Sequence, residues 1–178
     1  MEPKPKQTDT MTLWSSVAET DPSMTKRVNQ RGGFTSICAQ YQVMRATQQW
    51  GPCGDRWGYS VVYSTLCGKT AVLIFADVTL WFPGEHERAG FGPIRGCNIL
   101  VDEKGRIDDD APKKALTDGL TKGLSQLGFS ADVFLGKFDD NKYVATLETK
   151  YNTHASRSEL SPQDEAAMDH NGEQEPAF

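Results

Sequence analysis

The sequence predicts an α+β domain: an antiparallel β-hairpin sheet packed on long helices, with disordered termini. Three observations carry this. Two runs rich in β-branched and aromatic residues, Trp57–Ser64 and Thr70–Trp81, follow one another closely, and the second ends at the turn signal Pro83-Gly84. An amphipathic pattern from Asp108 to Gly128 starts with acids and stops at glycine, as a helix does. A second helical pattern reaches Trp50 and is stopped by Gly51-Pro52.

The elements follow in order. Residues 1–11 are polar, with Pro3 and Pro5, and predict disorder. Leu13, Trp14 and Val17 predict a short helix docked by its apolar side, closed by Asp21-Pro22. From Lys26 to Gly33 the chain is basic, and Gly32-Gly33 predicts a flexible segment without regular structure. Thr35 or Ser36 is the expected N-cap of the helix that runs to about Trp50, with Ile37, Tyr41 and Met44 on one face. After the two strands, a third is expected over about Glu85 to Ile94, polar and edge-like. Gly90, Gly92 and Gly96 interrupt it and its exit, which implies bulges or the close approach of another backbone.

Asp110 is the expected cap of the best helix, and Pro112 suits its first turn. Leu116, Leu120, Leu124 and Leu127 form an apolar stripe, while Lys113, Lys114, Thr117, Thr121, Lys122 and Ser125 spread over the opposite half. Gly119 and Gly123 each cost about 1 kcal/mol relative to alanine in a helix, so close packing against the sheet is expected to offset them. A further helix is expected near Asp139-Asp140, with Tyr143, Val144 and Leu147 on one face. The expected domain spans residues 12–152, and an acidic, disordered tail takes up 153–178.

The net charge of −5 argues against a nucleic-acid binder until it is located. Residues 151–178 hold six acids (Glu159, Asp164, Glu165, Asp169, Glu173, Glu175) and one base (Arg157); the rest of the chain holds 18 of each sign. The body is therefore neutral, with a local excess of bases between positions 21 and 60: Lys26, Arg27, Arg31, Arg45 and Arg56 against Asp21 and Asp55. Such a surface steers a polyanion. No apolar run of membrane length and no apolar signal core is present, which predicts a cytoplasmic protein with no membrane association. The four cysteines, Cys38, Cys53, Cys67 and Cys97, form no C-x-x-C pair and suit reduced, half-buried thiols.

Enzymatic motifs mostly fail. Gly68-Lys69-Thr70 lacks the glycine that a phosphate-binding loop needs five residues earlier, where Tyr63 stands, and it leads into a strand; a hairpin turn is the plainer reading. Asp108, Asp109 and Asp110 are consecutive, so their carboxylates diverge, and a helix start explains them better than a metal site for nuclease chemistry. His86, His154 and His170 share no ligand spacing. Neither a catalytic site nor a cofactor is expected. Binding chemistry fares better: Lys113, Lys114 and Lys122, with hydroxyls of Thr117 and Thr121 between them, are phosphate donors, and Phe34, Tyr41, Trp57, Tyr59, Phe91 and Phe129 are candidate base stackers.

Ala111 to Gly128, A-P-K-K-A-L-T-D-G-L-T-K-G-L-S-Q-L-G, resembles the signature helix of the Rad-fifty-two type single-strand annealing proteins. Gln42 to Trp57 is similar to that family's helix and its entry into the first strand. The strand ending at Pro83-Gly84 with Gly90-Phe91-Gly92 is similar to its hairpin, and Gly136 to Val144 resembles its phage and prophage branch. Four motifs in order cover roughly residues 12–150.

The resemblance implies a β-β-β-α core that assembles into rings or filaments and holds single-stranded DNA in an outer basic groove. It implies annealing for recombination and repair without nucleotide hydrolysis, in a bacterial host's cytoplasm if phage-encoded. By position, Lys122 matches the second residue of the family's basic pair, which contacts the DNA backbone, and Thr121 stands where the first base usually is. Ser125 occupies a position that is often arginine. Lys26, Arg27 or Arg31 matches a basic residue ahead of the first long helix, and Lys137 one linked to a second DNA site. The missing bases imply a weaker groove, or compensation by Lys113, Lys114 and Arg95. The acidic end, Glu173 to Phe178, resembles the partner-recruiting tip of bacterial single-strand binding proteins. That raises an alternative: an oligomeric interaction protein that recruits or blocks host repair factors, a host single-strand binding protein among them.

Overall fold

A computed structural model of the chain describes residues 11–29, 33–84 and 87–158. Among the described residues the architecture is α+β: a two-stranded and a three-stranded antiparallel sheet with five α-helices. The expected disorder of residues 1–10 and 159–178 lies outside the described residues.

The short helix at the start, α1 (Thr12–Val17), forms where expected and buries Val17. The next segment corrects the sequence reading. Lys26 and Arg27 lie in a strand, β1 (Thr25–Val28), which pairs antiparallel with β2 (Phe34–Ile37). Thr35 and Ser36 are therefore ladder residues, and the helix α2 (Ala39–Trp50) starts after Cys38. With Ile37 in the ladder, the buried face of α2 is Tyr41, Gln42 and Ala46, and Met44 is exposed. Gln42 belongs to the core because its Nε2 donates to the Phe129 carbonyl (3.1 Å), satisfying a buried acceptor.

The main sheet is a meander of β3 (Gly58–Cys67), β4 (Val72–Pro83) and β5 (Arg88–Val101), in that spatial order. The Gly68 N–H donates to the Ala71 carbonyl (2.8 Å), so Gly68-Lys69-Thr70 is the hairpin turn. The third strand is longer than its polar look suggested and extends well beyond Ile94. Both readings of its glycines hold. The pairing register shifts between Val78 and Leu80, opposite Gly92, while Gly96 is where another backbone approaches.

That other backbone is the helix α3 (Ala111–Gln126). Ile74, Ala76, Val78 and Leu80 alternate along one face of β4 and are buried against it. A Cβ on Gly119 would meet Val78 Cγ2 at 2.8 Å and the Gly96 nitrogen at 3.1 Å, and one on Gly96 would collide with the Ala115 carbonyl. The glycines of α3 are thus packing positions. Beyond Gly128 (φ 102°) come α4 (Ala131–Phe134) and α5 (Asn141–Ser158), so helix continues past residue 152, into the segment expected to be disordered. The four cysteines are free, and they are exposed rather than half-buried. Among the described residues no helix is long and apolar enough to cross a membrane.

Candidate nucleic-acid interface

The polar half of α3 is built from two rows at i, i+4, i+8 spacing, Lys113–Thr117–Thr121 and Lys114–Asp118–Lys122. Facing them across an open groove of about 670 Å³ are Phe34, Thr35, Ser36 and Ile37 of β2 and Val133 and Phe134 of α4. Lys113, Lys114, Thr117, Asp118 and Thr121 line this groove. It has ammonium groups and hydroxyls on one wall, and exposed phenyl rings of Phe34 and Phe134 on the other. Thr117 and Ser125 spend their hydroxyl protons on helix carbonyls, of Lys113 (2.9 Å) and Lys122 (2.8 Å).

A second cleft adjoins the first at Thr35, which lines both. Arg27, Gly33, Phe138, Asp139, Asn141 and Val144 complete it. Lys137 stands beside it, its Nζ 5.5 Å from the Tyr143 ring centre. Lys26 is exposed on β1, opposite Ser36, with no carboxylate partner among the described residues. The structure thus brings Lys113, Lys114 and Thr121 to one groove, Arg27 and Lys137 to the next, and Lys26 to the hairpin between them. Lys122 sits at the far end of its row, outside the groove lining. Arg31 lies outside the described residues.

Arg95 is displaced from this arrangement. It pairs across strands with Asp77, on the sheet face that α3 does not cover, because its neighbour Gly96 takes the position under the helix. Its Nε and Nη2 donate to Asp77 Oδ1 (2.7 Å) and Oδ2 (2.8 Å), and this fork holds the Asp77 carboxyl below the usual carboxylate range. From there Arg95 does not line the groove beside α3.

Several candidate base stackers are core residues. Trp57 and Phe129 are fully buried and Tyr41 nearly so. Trp57 packs on Trp50 and donates to Thr47 Oγ1 (3.3 Å), and Trp50 stacks on Phe82 with ring centres 4.8 Å apart. Phe34 and Tyr59 keep exposed rings.

The acids at the start of α3 act differently from a side-chain cap. Asp110 makes no capping hydrogen bond. Asp108 Oδ1 accepts from the Asp110 N–H (3.1 Å) and its Oδ2 from Lys114 (2.6 Å), while Asp110 Oδ1 accepts from Lys113 (2.7 Å). The Lys113 ammonium holds the Asp110 carboxyl below the ordinary range, and the bond to Asp108 raises Lys114. Among the described residues, no group of three or more His, Cys, Asp or Glu is placed to hold a metal. The sequence reading missed Thr35, Ser36 and the acidic partners. Asp118–Lys122 and Asp110–Lys113 are legible as i, i+4 and i, i+3 pairs, whereas Arg27–Asp139 joins positions too distant for any local pattern to reveal. In comparisons with known proteins, the chain matches no family model and no curated sequence.

Proposed function

We propose that this chain is an ATP-independent single-stranded-DNA-binding and strand-annealing protein that works in recombination and repair as an oligomeric ring or filament. One observation carries the reading. The helix that resembles the annealing-protein signature presents Lys113, Lys114 and Thr121 to an open groove whose other wall holds the exposed ring of Phe34. Phosphates accept from ammonium and hydroxyl donors, and bases stack on aromatic faces. The β3 and β5 edges of the sheet have no partner strand among the described residues, which leaves backbone groups for assembly with further copies.

The test is to mix the protein with complementary single strands at low salt and without ATP. Accelerated duplex formation is expected; no acceleration would sink the proposal. Lys122→Ala should weaken single-strand binding and flatten the log–log salt dependence by up to about 0.7 for one lost phosphate contact. An unchanged slope would remove Lys122 from the interface.

A further inference from the structure

The three lysines of α3 already hold oxyanions. Lys113 is bound to Asp110 (2.7 Å), Lys114 to Asp108 (2.6 Å) and Lys122 to Asp118 (2.7 Å). These are charge-assisted hydrogen-bond distances, and carboxylate and phosphate oxygens compete for the same N–H donors. Each ammonium has three donors but is about half exposed or more and already holds one carboxylate, so a phosphate that engages these lysines must either displace that carboxylate or share the lysine with it, a negative charge beside its own.

Two of the carboxylates are anchored and stay behind when the lysine turns away. Asp118 Oδ2 also accepts the Cys97 N–H on β5 (3.1 Å), and Asp108 Oδ1 accepts the Asp110 N–H (3.1 Å). After exchange, each leaves a negative charge close to the incoming phosphate. The geometry points to Asp108, Asp110 and Asp118 as affinity-limiting residues, built-in competitors that keep the hold of α3 on a DNA strand weak and exchangeable. This inference rests on α3 being the DNA-facing helix. It fits annealing chemistry, since a strand held too tightly would not be given up as duplex.

It also departs from the ordinary view of an acid beside a base. If these pairs merely solvate the helix, neutralising an acid has no effect beyond the change in net charge. If they compete with phosphate, neutralising one strengthens binding locally. Asparagine keeps an acceptor for the Cys97 and Asp110 N–H groups, so the fold is retained.

The experiment measures fluorescence anisotropy of a labelled oligo-dT with wild type, Asp108→Asn, Asp110→Asn and Asp118→Asn across a salt series. Glu148→Gln, the same charge change on the exposed side of α5, is the control. Each asparagine variant should lower Kd by about two- to five-fold, the range set by exposed ion pairs. The oligonucleotide should dissociate more slowly, and the salt slope should steepen, because no stranded carboxylate recruits cations back. In a Lys122→Ala background, the gain from Asp118→Asn should shrink. Asparagine variants that bind no tighter than Glu148→Gln, with wild type binding normally, overturn this inference alone. If neither wild type nor any variant binds the oligonucleotide, the annealing reading falls with it.

Discussion

Asp132 ties the N-terminal segment to the body of the protein. It is buried, and its two oxygens accept from the Thr20 N–H (2.8 Å), the Thr20 hydroxyl (2.6 Å), the Val133 N–H (2.8 Å) and the Tyr143 hydroxyl (2.9 Å). Asp132→Ala would leave the Thr20 donors buried without partners, so a loss of about 2–4 kcal/mol in urea unfolding is expected. Tyr143 has a consequence of its own. Burial, then the bond to Asp132, raises its phenol above the ordinary tyrosine value. A raised folded-state value means that the folded protein keeps a proton the unfolded chain loses, so stability falls as pH rises above about 10. Tyr143→Phe should show a shallower alkaline decline than wild type in thermal melts at graded pH; an equal decline would remove Tyr143 as its source.

At the level of elements, the Gly96–α3 contact sets the fold's tightest tolerance. Gly96→Ala would drive its Cβ into the Ala115 carbonyl and the backbone of Gly119, neither of which can rotate aside. A loss of about 2–3 kcal/mol or more is expected from such overpacking, read as a lower denaturation midpoint. Gly90→Ala, whose nearest neighbour is the Leu80 carbonyl at 3.9 Å, serves as the tolerant comparison. Here the sequence was informative. Paired glycines in a strand and in a helix announced close packing, and the branched and aromatic run Thr70–Trp81 announced β4, although its alternating burial is a finding of the structure. The β1–β2 hairpin was hidden because Gly32-Gly33 reads as flexible linker, and four-residue strands carry too little pattern to overrule it. Tyr41, Trp57 and Phe129 misled for a related reason: an aromatic ring is equally suited to a base and to a core, and only the tertiary contacts decide. Asp139 as the partner of Arg27 (3.0 Å) lay beyond any local rule.

For the whole molecule, the proposed function requires a chain of net charge −5 to hold a polyanion. Lys26, Arg27, Lys113, Lys114, Lys122 and Lys137 lie along α3, β1 and the turn after α4, and four of these six are paired with acids there. In the proposed role a single copy would therefore offer a modest grip, and many copies side by side would be needed for a durable one. Electron microscopy of the purified protein with and without single-stranded DNA should accordingly reveal rings or filaments; a monodisperse monomer under both conditions would contradict this. The fit between Gly96 and Gly119 bears on how such a grip adapts. With backbone against backbone, α3 has no slack relative to the sheet, so one wall of the groove is fixed. The opposite wall, β1–β2, leans on α4 and on the exposed Arg27–Asp139 pair. The groove is a vice with one firmly set jaw and one more lightly braced, so in the proposed role any widening to admit a second strand would come from the hairpin side.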